Sequence, residues 1–501
     1  MTLEWDRRDL IAAFSLANLS LIGLWDGLLN YTPAQAFFLE HAPPRTEYAA
    51  AFANVILIGL IFFLVIRLAR WMAARFGRWG IIFGSIPMLF LIALPAGKSL
   101  LRLIESRFPD WDLSLVACVL VLLFAATMLI ARRRFFTFAS AVLVTISPLI
   151  LLEAVLSIHR CRNDQSSAYA DGPLAPRLAP TSRPRIVWII FDELDYRLSF
   201  LDRPSNVPMP EFDRLRAASV FAEDAISPAP DTVLSVPSLL TGKRLSSIAA
   251  HGSREVFFDG APASSQSTIF SSVHSMGANA AVVGWYLPYC RVFSQDLAAC
   301  SYRDMGSELN ENGSSFAESL LFQQQSLFAY GHRSLLGRSP KTKRTIEMLT
   351  SLRQDAIRDV ADPSFGLVFL HLPVPHAPYL YDRFSYTFPK RYLSFGSYYD
   401  NLALADNYLG DLRESMISAG LWDKTTVLVS SDHPDRTSLF VDGREDKRVP
   451  FLLKLAGQTS GVTYEPLLQT VVTKPLLEAI MEGKVTTPED AVSWLTAHPK
   501  P

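Results

Sequence analysis

A chain of 501 residues would ordinarily fill about three soluble domains, but half of this one is apolar, only 19% is charged and its mean hydropathy is +0.20. That excludes a disordered chain and argues against a wholly soluble one. A net charge of −1 leaves no electrostatic footprint for nucleic acid, and four cysteines without a CxxC pair make neither a disulfide scaffold nor a paired-thiolate zinc site.

The apolar excess lies at the amino end, where 23 of the 157 residues before Ile158 are charged, against 72 of the 344 that follow. The charges come in clusters that separate five uncharged runs: 10–25 (continuing past Asp26 to about residue 30), 48–66, 79–97, 113–131 and 135–152. A helix rises about 1.5 Å per residue, so about 20 residues cross a hydrocarbon core of about 30 Å. The runs predict five transmembrane helices over residues 1–157, and the first lacks the small-residue cleavage site of a signal peptide. Nine arginines (Arg7, Arg8, Arg67, Arg70, Arg75, Arg78 and Arg132 to Arg134) fall on one side of that arrangement, which marks it as cytoplasmic. An odd number of spans then places everything after His159 outside. Asp26 and Glu153 fall near the outer face, where an acidic side chain can snorkel to the interface or serve a function. A disulfide between Cys290 and Cys300 is plausible in such an oxidising compartment, with Cys161 as the competing partner.

Residues 158–184 read as a linker, rich in Ser, Ala and Pro from 165 on, and 185–501 as a catalytic domain. Apolar runs of strand length at 186–191, 280–284, 367–370 and 426–430 alternate with helical patterns at 209–219, 267–276, 398–419 and 467–481. Strands apolar on both faces belong in a covered parallel sheet, and the alternation predicts an α/β sandwich. Ligands of such folds gather beyond the carboxyl ends of the strands. Three strands deliver acids or imidazoles there: Asp192-Glu193, His371 and Asp432-His433. Asp192, Asp432 and His433 form a minimal set for a hard or borderline divalent ion. There is no Walker A sequence and no GxGxxG after a strand, which removes nucleotide-driven chemistry from the leading readings.

A metal site of this kind needs a nucleophile, and residues 230–242 offer two leading hydroxyls, Thr232 and Ser235. Pro237 favours a helix start nearby, which makes Ser235 the N-cap and leaves Thr232 in the preceding loop.

In order along the chain, Ile189-Ile190-Phe191-Asp192-Glu193, Met209-Pro210-Glu211-Phe212-Asp213-Arg214-Leu215, the stretch 235–242, the stretch 371–379, the helix with Gly420-Leu421-Trp422-Asp423, and Ser431-Asp432-His433 resemble the ordered motifs of the sulfatase-like branch of the alkaline phosphatase superfamily. The five-span anchor is similar to that of lipid A phosphoethanolamine transferases and lipoteichoic acid synthases. Thr232-Val233-Leu234-Ser235-Val236-Pro237 resembles the transferases' nucleophile segment, with Val233 in place of its alanine. The resemblance implies an alkaline phosphatase-like domain holding one divalent ion, zinc or else manganese or calcium, on Asp192, Thr232, Asp432 and His433, with Glu193 as a further acidic ligand. It implies Thr232 as nucleophile, His376 in catalysis, and His371, His376 and Lys447 in substrate binding. Three departures stand out. The transferases carry Glu where this chain has Asp192 before Glu193. A further histidine of theirs is replaced by the region of Arg436, Arg444 and Lys447. Their several disulfides reduce here to one or two. Formylglycine sulfatases need Cys-x-Pro-Ser-Arg, whereas Ser235-Val236-Pro237-Ser238-Leu239 has neither Cys nor Arg. The expected function is a multi-pass enzyme of the bacterial inner membrane with its catalytic domain in the periplasm. It would move a phospho-headgroup from a phospholipid to an envelope lipid or glycan. The alternative is a sulfatase-like hydrolase of phosphate or sulfate esters.

Overall fold

The computed structural model describes residues 7–29, 37–88, 132–162, 170–304, 315–327, 329–330, 333–334, 338–389, 396–439 and 443–498, with the isolated positions 97 and 119. These fall into two compact units, one within Met1–Tyr31, His41–Ser167 and Ser307–Lys341, the other within Thr32–Glu40, Ala168–Gly306 and Thr342–Pro501.

The first unit is helical. Helices α1 (Arg7–Ser20) and α2 (Ile22–Leu29) meet at a 60° bend, braced by a buried bond from Trp25 Nε1 to Asn18 Oδ1 of 2.8 Å. Helix α3 (Arg45–Met88) breaks at Gly77, whose φ of 54° only glycine adopts without strain. The break falls inside the arginine cluster that separates the second and third expected spans. Helices α4 (Arg132–Thr145) and α5 (Pro148–Arg162) follow. Among the described residues two helical stretches are long and apolar enough to cross a membrane, Arg45–Gly77 and Ser140–Arg160, or three if the bent α1–α2 pair counts as one span. The structure thus supplies two or three of the five expected spans. Most of the expected third run beyond residue 88, and almost all of the fourth at 113–131, lie outside the described residues. The helix Phe316–Leu327 belongs to this unit, where Gln323 Nε2 reaches Glu47 Oε2 at 2.9 Å and Asn54 Nδ2 reaches Gln323 Oε1 at 3.0 Å. Each of these buried polar groups therefore finds a partner away from water.

The second unit is built on an eight-stranded sheet. In chain order its strands are β1 (Arg185–Phe191), β2 (Val220–Ala222), β3 (Asn279–Trp285), β4 (Ala299–Arg303), β5 (Phe365–Leu372), β6 (Thr425–Ser430), β7 (Phe451–Lys454) and β8 (Val462–Tyr464). Their spatial order is β8-β2-β7-β6-β1-β5-β3-β4, and only β7 runs antiparallel to its neighbours. Alternation along the central strand splits its side chains between two cores. Ile186, Trp188 and Ile190 join one cluster, Val187, Ile189 and Phe191 the other. Helices cover both faces, which is why β1 reads as an unbroken apolar run. The register sets Ile190 opposite His371 on one side and Ser430 on the other, so the carboxyl ends of β1, β5 and β6 finish level.

Three further helices matter for the site: α6 (Pro210–Ala217), α7 (Thr232–Thr241) and α8 (Tyr398–Ser418). Residues 170–184 carry no helix or strand.

Cys290 and Cys300 form a disulfide across a sequence separation of 10, tying edge strand β4 to the short helix Tyr289–Val292 that follows β3. Closing so short a loop constrains the unfolded chain by about 3 kcal/mol. Replacing both cysteines with serine should therefore lower the unfolding midpoint of the purified domain by several degrees. An unchanged melting curve would show that the bond contributes nothing.

Candidate active site

Asp192 sits one residue past β1. Its backbone N–H continues the ladder to Leu372 O at 3.0 Å, which carries the chain straight to the level sheet edge. Glu193 then turns the chain at φ 61°. That left-handed position is unusual for a non-glycine residue, and it is held from several sides. Tyr398 Oη, at the start of α8, donates to Glu193 O at 2.7 Å and accepts from Asp195 N at 2.8 Å. Glu193 N donates to Asp432 Oδ1 at 3.3 Å. Ser431 Oγ accepts from Leu194 N at 2.9 Å and lies 2.8 Å from Phe191 O, stitching the end of β6 to that of β1.

Asp192, Asp432 and His433 converge so that one ligand atom of each lies within 4.8 Å of the others. All three are buried. His433 Nε2 is 3.4 Å from Asp432 Oδ2 and 3.8 Å from Asp192 Oδ1, and neither of those oxygens has a hydrogen-bond partner among the described residues. Orphaned carboxylate oxygens in a water-excluded place are costly. Two of them aimed at one imidazole nitrogen form the donor set of a divalent cation. The tautomer agrees: His433 Nδ1 lies 2.9 Å from Pro434 O, a carbonyl that can only accept, so Nδ1 carries the proton and Nε2 presents its lone pair. The residues present therefore fit one divalent ion.

The segment that carries Thr232 and Ser235 differs from the expectation in where its helix begins. Helix α7 begins at Thr232, and Asp231 is its cap, with Oδ1 accepting from Leu234 N at 2.9 Å. Ser235 is not the N-cap, and Pro237 lies inside the helix. Aspartate caps as well as serine does, and Ser235 has a better use. Its Oγ donates to Asp432 O at 2.5 Å. Thr232 and Ser235, three apart, share one helix face. Thr232 Oγ1 lies 3.2 Å from His433 Nε2, inside the ligand cluster. Ser235→Ala removes the partner of a buried carbonyl and should cost about 1–3 kcal/mol. Measured by denaturant unfolding, stability should fall while substantial turnover remains; an inert but fully stable variant would make Ser235 the reacting hydroxyl.

The other expected site residues divide. His371 is fully buried within β5, with Nδ1 2.8 Å from Tyr289 Oη and Nε2 3.7 Å from Asp192 Oδ2. It lies behind Asp192 and is shut off from solvent. His376 is partly exposed, with Nε2 3.9 Å from Glu193 Oε1 and its ring 5.3 Å edge-on from Trp285. Asn401 Nδ2 grips its loop through the carbonyls of Pro375, His376 and Pro378, at 2.9–3.2 Å. Glu193 stands outside the ligand cluster: Oε1 accepts from Arg436 Nε at 2.8 Å, and burial raises its carboxyl above the usual range. Lys447 is exposed, and no described contact joins it to the cluster. The cation at the site is Arg436. Sequence reasoning also passed over Trp285, whose Nε1 donates to Asp192 Oδ2 at 3.1 Å. Its position directly after the expected strand 280–284 was the available signal.

The sulfatase family description matches residues 184–471, more than half of the sequence and the whole of this constellation. The chain belongs to the sulfatase family. This sulfatase-family chain is accordingly an enzyme of the alkaline phosphatase superfamily, and the α/β unit is its catalytic fold. No curated protein matches it. Solved structures similar to it include Ps i-CgsB, at 15% identity over 62% of this chain and 74% of that one (TM-score 0.44). The PsFucS1 sulfatase from Pseudoalteromonas sp. shares 14% identity over 60% and 68% (TM-score 0.43). The phosphonate monoester hydrolase of Agrobacterium radiobacter shares 14% over 60% and 74% (TM-score 0.39).

Proposed function

We propose that the protein is a membrane-bound transferase that moves a phospho-headgroup from a phospholipid to a hydroxyl of an envelope lipid or glycan through a covalent ester on Thr232. The observation that carries this reading is the approach of Thr232 Oγ1 to His433 Nε2 at 3.2 Å, beside the two orphaned carboxylate oxygens. A divalent ion held by Asp192, Asp432, His433 and Thr232 would lower the pKa of the hydroxyl and neutralise charge on the transferring group. The protein's part is placement. Asp231 fixes the start of α7, and Ser235 ties that helix to the backbone of Asp432. Trp285 and His371 orient Asp192, and Pro434 O sets the tautomer of His433. His376, on the open side, would bind the anionic oxygens or protonate the departing alkoxide. Zinc is the ion we favour, with manganese or calcium compatible with the two carboxylates.

Two or three apolar helices support attachment to a membrane, and a lipid donor suits an anchored enzyme. We place the protein in the bacterial inner membrane with residues 185–501 in the periplasm. Reporter fusions after Gly77 and after Arg162 should be active on opposite sides of that membrane; cytoplasmic activity of the second would reverse the topology. The decisive experiment for function is incubation of the purified protein with defined phospholipids, followed by mass spectrometry of the α7 peptide. A headgroup adduct on Thr232 is the expected result, and its absence with every lipid tried would defeat the transferase reading. A sulfatase-like hydrolase, in which water is the acceptor, is the second reading, favoured by the family match.

A further inference from the structure

Glu193 is the acid of the site that the metal cluster does not use. Its carboxylate is buried, and its main chain is fixed by Tyr398 Oη and by Asp432 Oδ1. The partner of that carboxylate is a guanidinium from the loop that follows His433. This loop is itself pinned, because Asp435 Oδ1 accepts from both Thr437 N and Thr437 Oγ1 at 2.8 Å. Arginine–carboxylate pairs frequently close with two parallel bonds. Here Nε alone is committed to Glu193, at 2.8 Å. Nη2 lies 3.5 Å from His376 Nε2, and Nη1 has no partner among the described residues. The Arg436 side chain is 54% exposed, so the free edge of the fork is open to solvent on the side where His376 emerges.

We propose that Arg436 is the anion-binding arm of this active site, donating its terminal N–H groups to non-bridging oxygens of a tetrahedral phosphate or sulfate ester, and that Glu193 is the residue that positions it. The proposal rests on the reading that an anionic ester is cleaved at Thr232, but it does not depend on which acceptor takes the group. It replaces Lys447 as the substrate-binding cation with one that lies at the site. A planar fork favours a group with at least two terminal oxygens over a singly exposed one.

The test uses the full chain in detergent, loaded with zinc, and calorimetric binding of inorganic phosphate and of inorganic sulfate. Arg436→Gln should weaken the preferred anion at least about tenfold, the range for a hydrogen bond to a charged group, with metal content unchanged; Arg436→Lys should fall between. Glu193→Gln should weaken it less and keep the metal. Both glutamine variants should raise KM for bis(4-nitrophenyl) phosphate or 4-nitrophenyl sulfate more than they lower kcat. Comparing the phosphate and sulfate arms shows which ester the site takes. Unchanged anion binding in Arg436→Gln, binding of neither anion by the unaltered protein, or loss of metal from Glu193→Gln would each overturn the proposal. An adduct on Thr232 alongside any of those results would leave the function standing. Weakened anion binding in Arg436→Gln without any adduct would do the reverse.

Discussion

Thr232→Ala should abolish turnover, by at least about 10³-fold, in a protein that remains folded and metal-loaded. Losses of that order or larger follow removal of an enzyme nucleophile, because the remaining groups can bind substrate but cannot open the covalent route. The hydroxyl that disappears is the one that lies 3.2 Å from His433 Nε2. Little else should change. Asp231 still caps α7, Ser235 still holds Asp432 O, and alanine is a good helix former at the first position. Thr232→Ser, which keeps an oxygen there, should retain measurable activity. The check is kcat with a chromogenic ester together with circular dichroism and metal analysis on the same sample. An active Thr232→Ala beside an inert Ser235→Ala would move the nucleophile one turn along the helix and favour hydrolysis over transfer.

Asp432→Asn should cost the site its metal. The side chain plays two parts that this substitution separates. Oδ1 accepts from Glu193 N at 3.3 Å and from His433 N at 2.9 Å, which an amide oxygen can still do. Oδ2 has no hydrogen-bond partner among the described residues and lies 3.4 Å from His433 Nε2, so its negative charge is available to a cation in a way that a neutral amide is not. Loss of one of two charged ligands should lower metal affinity by well over about tenfold, since even partners outside the ligand set change it by about 10–100-fold. Metal analysis after dialysis, with activity before and after zinc is restored, gives the readout. Full metal content in a folded Asp432→Asn would mean that the ion sits elsewhere. Asp432→Ala also strips the two amide bonds, so it should unfold more readily than Asp432→Asn.

The parts of the fold legible from residues alone were those in which one strand meets protein on both faces. In β1, β5 and β6 every position is buried, and each therefore reads as a continuous apolar run with its polar chemistry at the end. Strand β4 lies at the edge, with four of its five positions only partly buried, and its mixed composition hides it. Strand β7 is four residues long and closes on Lys454, a buried lysine lying over the Trp422 ring at 5.0 Å. Such a residue argues against a strand until the ring is known to be there. The start of α7 was misplaced for a different reason. Serine is a good cap, but Ser235 is engaged instead by Asp432 O, 197 residues away. The same holds for Arg436, whose partner Glu193 is 243 residues distant. Residue types and strand ends pointed to Asp192, Asp432 and His433; the couplings that orient them are tertiary and leave no local mark.

The level ending of β1, β5 and β6 also sets a timetable. Ile190 is matched with Ser430 and His371 only once all three strands are in the sheet, and the cluster draws one member from near the start of the domain and two from 240 and 241 residues later. At a synthesis rate of about 5–20 residues per second, a nascent chain carries Asp192 and Thr232 for some tens of seconds before Asp432 exists. No fragment made in that interval can assemble the pocket. A metal held by Asp192, Asp432 and His433, and a Thr232 activated by it, would therefore form only after the sheet is closed.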